Sequence, residues 1–179
     1  FHLAAQTQVL DAVKNPTKTF NSNIKGTWNI LELCRKNNIP VVVASSDKAY
    51  GDSPNLPYLE SHNLNGIYPY DVSKTVTDLL SRTYKETYDL NVAVLRCGNI
   101  YGGGDTNWDR LIPGVIRWLL NDEKPELRSN GNLIREWVYV EDVVQAYKQM
   151  GISILKKNNN HLSYNFSSGE HYSVMDIYN

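Results

Sequence analysis

Long apolar runs, cysteines and an excess of charge of either sign are what this sequence has little of. No stretch approaches the roughly 20 consecutive apolar residues that cross a bilayer, and nothing in it resembles a secretory leader, so a cytoplasmic protein without membrane contact is expected. Its 18 Lys and Arg against 19 Asp and Glu leave a formal net charge of -1. That balance offers no field for a nucleic-acid backbone or an anionic membrane, so any anion must be held locally. The two cysteines, Cys34 and Cys97, have no metal-ligand spacing; reduced core thiols are expected, with neither a disulfide nor a metal. A G-x-G-x-x-G turn is absent as well: Gly102, Gly103 and Gly104 stand together after the wrong strand. With 41% hydrophobic and 21% charged residues, the 179 residues suffice for a core of ordinary size.

What is present is an alternation of helical and buried-strand patterns. Phe20, Ile24, Trp28, Leu31 and Cys34 recur at helical spacing and predict a helix over 17–36 with those residues on one apolar stripe. Residues 40–45 form a β-branched run without polar alternation, as in a strand covered on both faces. A long Pro-, Asn- and Gly-rich loop over 51–69 follows. Val72, Val76, Leu79, Leu80, Tyr84 and Tyr88 then mark a second helix, and 91–97 a second two-sided strand. Residues 99–108 read as another loop, 111–120 and 141–155 as helices, 163–166 as a short strand and 156–160 as a solvated turn. Phe1, His2, Leu3, Ala4 and Ala5 read as a buried strand entered partway, so a piece of a longer chain is expected. Helices alternating with buried strands imply a doubly wound, Rossmann-like parallel α/β sheet. Ligands of such sheets lie outside the carboxyl ends of the strands, here just after Ala44 and Cys97.

Both places carry residues capable of chemistry. Ser46, Asp47 and Lys48 follow the first strand with a hydroxyl, a carboxylate and an ammonium; capping and turn roles are the alternative. Tyr70 and Lys74 are four apart and share a helix face, roughly opposite the stripe through Val72, Val76 and Leu79. An ammonium nearby favours a phenolate, while a surface tyrosine beside a solvated lysine is the plain alternative.

Together these residues resemble the extended short-chain dehydrogenase/reductases that act on nucleotide sugars, and the resemblance covers essentially the whole chain. Ser46 matches the family's catalytic Ser/Thr, and Tyr70 with Lys74 its Tyr-x-x-x-Lys pair. Leu3, Ala4 and Ala5 resemble the strand end beside the cofactor, and Asn23 the family's helical asparagine. The resemblance implies NAD as cofactor, with Ser45, Cys97, Tyr70 and Lys74 also lining it. Asn99, in the segment 96–102, resembles the residue that approaches the sugar nucleotide's phosphates. Arg135 opens an Arg-x-x-x-Tyr-Val-x-Asp segment and is expected on the diphosphate, with a surface ion pair as alternative; Arg128 is expected to border the nucleotide. The family's Gly-rich turn would lie before Phe1. The implied layout is the later part of the NAD-binding domain over 1–106, and a truncated mixture of substrate lobe and returning elements over 107–179.

Within the family, Asp47-Lys48 together with the Gly102–Trp108 segment is most similar to the CDP-glucose 4,6-dehydratases, whose dTDP-glucose counterparts carry Asp-Glu at that place. The resemblance implies oxidation at C4, loss of water across C5 and C6, and hydride return to C6, in a homodimer pairing through the helices near Trp28 and after Tyr70. Asp47 would serve the C6 hydroxyl and Lys48 the C5 proton or the enolate. Another nucleotide-sugar epimerase or reductase, or a non-catalytic dinucleotide-binding relative, are the rival expectations.

Overall fold

The computed structural model describes residues 1–53, 55–127, 129–157 and 161–178. Arg128 and residues 158–160 of the expected turn lie outside the described residues. The chain divides into two compact units, one of Phe1–Cys97 with Gln145–Phe166 and one of Gly98–Val144 with Ser167–Asn179.

The first unit opens with α1 (Val9–Lys14) and α2 (Pro16–Phe20), continues through a wide π turn at Asn21–Lys25 into α3 (Gly26–Asn37), and enters β1 (Val41–Ser46). A 3-10 turn, Asp47–Tyr50, leads into the long loop, which ends at α4 (Pro69–Tyr88), followed by β2 (Val92–Cys97). The residues that return from the second unit are the end of α6 (Val140–Leu155) and β5 (Ser163–Phe166). β1, β2 and β5 form a parallel sheet in that order, with Ser45 opposite Arg96 and Ser46 opposite Cys97. β-branched residues suit such a sheet because both faces are covered. Val41, Val43, Val92 and Val94 pack with Leu31, Cys34 and Tyr84 on one face, and Val42 and Ala93 with Ile154 on the other. Each fully buried valine contributes about 1.5–3 kcal/mol relative to exposure. This is the doubly wound α/β arrangement expected from the alternation.

The initial strand end is reduced to a single parallel bridge of His2 with Val43, closed by the His2 amide to the Val42 carbonyl at 2.8 Å and the Ala44 amide to the His2 carbonyl at 3.0 Å. The expected stripe on 17–36 is half right. Leu31 and Cys34 are buried, but Trp28 is 53% exposed, and the buried line above Leu31 is Thr19, Asn23 and Thr27. The π turn explains the change: one extra residue per turn shifts the phase of the helix, a known device at functional positions. α4 departs further. Of its apolar residues, Val72, Val76 and Leu80 are half-buried and Leu79 and Tyr88 exposed, while Tyr84 is buried together with Tyr70, Asp71, Ser73, Lys74, Thr77, Asp78 and Ser81. Polar side chains can line an interior when each finds a partner, and Ser73, Lys74, Thr77, Asp78 and Ser81 do.

In the second unit, the stretch 99–108 is not wholly a loop. β3 (Asn99–Tyr101) pairs in parallel with β4 (Ile134–Tyr139), which pairs antiparallel with β6 (His171–Ser173). α5 (Leu111–Leu120) and a short α7 (Val174–Tyr178) complete this unit. Gly102, at φ +151, admits no side chain, because a Cβ there would lie 2.4 Å from Val140 Cγ1.

Candidate active site

The carboxyl end of β1 passes straight into the turn that holds the acid and the ammonium. Ser46 keeps an extended backbone and caps the 3-10 turn: its hydroxyl accepts from the Lys48 amide at 3.2 Å and donates to Asp47 Oδ1 at 2.9 Å. The capping role and a place in the candidate site therefore coexist in one residue. Asp47 and Lys48 are half-buried.

Pro69 at the first position of α4 fixes the entry of that helix, an accepted place for proline, and sets Tyr70 in the first turn. Lys74 follows one turn later, 5% exposed, with Nζ donating to the Ala44 carbonyl at 2.9 Å and lying 5.9 Å from the Tyr70 ring centroid. Burial pulls the Lys74 ammonium down to about 8, while Asp78 and Cys97 act in the opposite direction. Its one hydrogen bond among the described residues leaves further N–H donors, since an ammonium carries three. His2, held to Thr27 Oγ1 at 3.0 Å, is lowered by burial and by Lys74. Cys97 closes β2 between Ser46 and Phe166. Tyr147 on α6 is pushed up by burial, with Cys97 and Tyr70 adding to the effect.

Ser46, Asp47, Lys48, Tyr70 and Lys74 thus share the first unit with Leu3, Ala4, Ala5, Asn23, Ser45 and Cys97. Leu3 and Ala4 are exposed just beyond the His2 bridge. Asn23 is buried and braces its surroundings: Oδ1 accepts from the Gln6 amide at 2.7 Å, and Nδ2 donates to the Gln6 carbonyl and to Ser73 Oγ, both at 2.9 Å. Asn99 and Arg135 belong to the second unit; Asn99 Nδ2 donates to the Glu136 carbonyl at 3.2 Å, and Arg135 is exposed with Nη1 on the Ile134 carbonyl at 3.0 Å.

Sequence reasoning missed the acids behind the set. Asp71, next to Tyr70, is raised by burial, with Lys48 drawing it down and Asp52 and Asp47 adding to the rise. Asp78, one turn beyond Lys74, receives Arg96 Nη2 at 2.7 Å and the Ser45 hydroxyl, the two charged side chains being 2% and 1% exposed. The signal available was an arginine inside an otherwise apolar strand: a buried guanidinium demands a carboxylate.

The path from Lys48 to Tyr70 is closed at its neck. The Ala49 carbonyl accepts from the Asn65 amide at 3.1 Å and from Thr75 Oγ1 at 2.9 Å, and Thr75 Oγ1 accepts from the Gly66 amide at 3.2 Å. A Cβ on Gly51 would lie 2.1 Å from the Asn65 carbonyl oxygen, so glycine is required at this positive φ.

Residues 1–165 match the NAD dependent epimerase/dehydratase family. A putative UDP-glucose 4-epimerase of Methanocaldococcus jannaschii is 34% identical over 99% of this chain and 57% of its own length. The CDP-glucose 4,6-dehydratase of Salmonella typhimurium is 33% identical over 82% of this chain and 44% of its own. Among solved structures, a UDP-N-acetylglucosamine 4-epimerase from Methanobrevibacter ruminantium superimposes with a TM-score of 0.90 at 27% identity, covering 99% of this chain and 57% of the other. A dTDP-glucose 4,6-dehydratase from Streptomyces venezuelae with NAD bound gives 0.85 at 27% identity, covering 99% and 54%. The chain spans about half the length of the curated relatives it matches, between 42% and 57%.

Proposed function

The chain belongs to the NAD dependent epimerase/dehydratase family, and from that premise we propose that the protein carrying it is an NAD-dependent nucleotide-sugar 4,6-dehydratase converting CDP-glucose to CDP-4-keto-6-deoxyglucose. One observation carries the reading: an acid and an ammonium, Asp47 and Lys48, occupy the turn capped by Ser46, beside the helix that bears Tyr70 and Lys74. A 4-epimerase needs only a base for the C4 hydroxyl. Elimination needs in addition a proton for the departing C6 hydroxyl and a group to serve C5–H.

Lys74, with N–H donors to spare, suits the hydroxyls of a nicotinamide ribose, and its charge favours the Tyr70 phenolate. Tyr70 takes the C4 hydroxyl proton as the C4–O bond becomes a carbonyl, with Ser46 hydrogen-bonding the same oxygen. NAD, when bound, supplies the hydride acceptor for C4 and the hydride returned to C6. The new ketone acidifies C5–H; Lys48 takes that proton as the neutral amine or steadies the enolate as the ammonium, and Asp47, as the carboxylic acid, gives its proton to the C6 hydroxyl, which leaves as water. Hydride then enters C6 and a proton C5, so the nucleotide sugar loses one water without net oxidation. Asn99 and Arg135 are taken as ligands of the substrate diphosphate, a task suited to a guanidinium fork.

A second reading, a 4-epimerase, is favoured by the 34% identity to the putative UDP-glucose 4-epimerase. Two variants of the full-length protein test the choice. Tyr70→Phe is expected to yield neither transient NADH absorbance nor keto product, a loss beyond the usual ~10²–10⁴ for a general base, because every later step depends on it. Lys48→Ala is expected to accumulate reduced cofactor while C5 exchange with deuterated solvent and C6 deoxygenation slow together. Normal release of 6-deoxy product from Lys48→Ala removes Lys48 from the mechanism, and an epimerised wild-type product replaces the reading.

A further inference from the structure

The Asp47–Tyr50 turn is tied at both ends into one buried polar assembly. Before it, the Ser45 hydroxyl donates to Asp78 Oδ2. At its far end, the Tyr50 hydroxyl accepts from Arg96 Nη1 at 2.6 Å and donates to Asn165 Oδ1 at 2.7 Å. Arg96 closes the figure on Asp78, with Nε at 3.0 Å and Nη2 at 2.7 Å, and Nη2 also reaches Ser163 Oγ at 3.1 Å. The Tyr50 ring is held too: it stacks on Tyr58 at 4.7 Å with planes 13° apart, and the Arg96 guanidinium lies 4.9 Å from its centre. Asn165, on β5, anchors the loop as well, through Nδ2 to the Tyr58 carbonyl at 2.8 Å and its amide to Glu60 Oε1 at 2.7 Å.

A buried charged pair is weak evidence of stability, since apolar replacements often do as well. Its hydrogen bonds are directional, however, and here they bracket the short turn that carries Ser46, Asp47 and Lys48. We propose that Tyr50 and Asn165 are positioning residues of the active site, which through the Asn165–Tyr50–Arg96 bridge fix where the Asp47 and Lys48 side chains stand. The inference rests on the roles given above to that turn. It also applies to Ser46, which sits on the same turn whichever conversion the enzyme performs.

The test compares Tyr50→Phe, Asn165→Ala and their combination in the full-length protein, with Ser81→Ala as a control that loses a buried hydroxyl bonded within α4. Tyr50→Phe keeps the ring and deletes the bridge. Misplacing reacting groups by about 1 Å costs up to ~10²-fold, so kcat is expected to fall between about 10-fold and 100-fold. KM and NAD affinity are expected to stay within about 2-fold, the signature of lost transition-state interactions. The unfolding midpoint should match that of the control. If both residues act through one bridge, the double variant is no slower than the slower single one. A Tyr50→Phe kcat within about 2-fold of wild type, or single losses that multiply, overturns the proposal. Should Asn165→Ala not fold, Tyr50→Phe read in single turnover decides alone. Wild-type product separates the two claims: an epimerised product ends the dehydratase reading, while the Tyr50→Phe loss is then read on epimerisation. A wild type inert towards sugar nucleotides overturns both.

Discussion

Replacing Lys74 by methionine should stabilise the protein below pH 8 and destabilise it above about pH 10.5. The wild-type ammonium titrates at about 8 rather than 10.5, and burial is the main cause. Each pKa unit corresponds to 1.36 kcal/mol, so holding the charged form in the fold costs about 3 kcal/mol. The folded value lies below the unfolded one; between them the unfolded chain keeps a proton that the native state has released. Wild-type stability therefore rises with pH from about 8 to 10.5, and the full cost applies below 8. Methionine has similar reach and no charge, but it cannot donate to the Ala44 carbonyl, which receives Nζ at 2.9 Å. That loss is about 1 kcal/mol. Lys74→Met should thus be more stable by about 2 kcal/mol at pH 7 and less stable by about 1 kcal/mol once the lysine is neutral in the unfolded chain as well as in the fold. Urea unfolding of full-length, cofactor-free wild type and variant across pH 7–10.5 measures both limits. A difference that does not change with pH, or a variant that is less stable at pH 7, would refute the account of Lys74 as a strained cation.

Arg96→Met should destabilise by about 3–5 kcal/mol, because it leaves the Asp78 carboxylate buried without its partner; the double variant with Asp78→Leu should recover much of this, and chemical denaturation giving equal losses would contradict the pairing argument. The full-length protein is expected to be a homodimer joined across α3 and α4, where exposed Trp28 donates to the Tyr84 hydroxyl at 3.0 Å beside Glu32, Arg35 and Tyr88. Trp28→Arg should shift it towards monomer in sedimentation equilibrium, and a monomeric wild type at high concentration would end that expectation.

β1 and β2 were legible because they are apolar runs rich in valine, as suits strands covered on both faces. Tyr70, Lys74 and the Ser46–Lys48 segment, the site proposed above, drew attention because they lie just after such a strand or at the start of the next helix, and because they resemble the family's motif. The interior of α4 could not be read. Hydrophobic periodicity sees only apolar side chains, so Ser73, Thr77, Asp78 and Ser81 leave no mark in it although they are buried and hydrogen-bonded. Trp28 was misplaced because a single wide turn at Asn21–Lys25 breaks the 3.6-residue phase without leaving a mark in composition. β3 was hidden by its brevity and by the glycines that follow Tyr101.

The closed neck at Ala49, Asn65, Gly66 and Thr75 turns the excursion between Lys48 and Tyr70 into a ring, fastened again at Tyr58 and Glu60. In a ring pinned at its base, doubling the contour costs only about 0.6 kcal/mol of closure entropy. Length added inside the ring does not reach the pinned residues. Away from Tyr58 and Glu60, which hold Tyr50 and Asn165, the stretch between Gly51 and Asn65 can therefore change in length while the span between the acid-bearing turn and the tyrosine-bearing helix keeps its geometry.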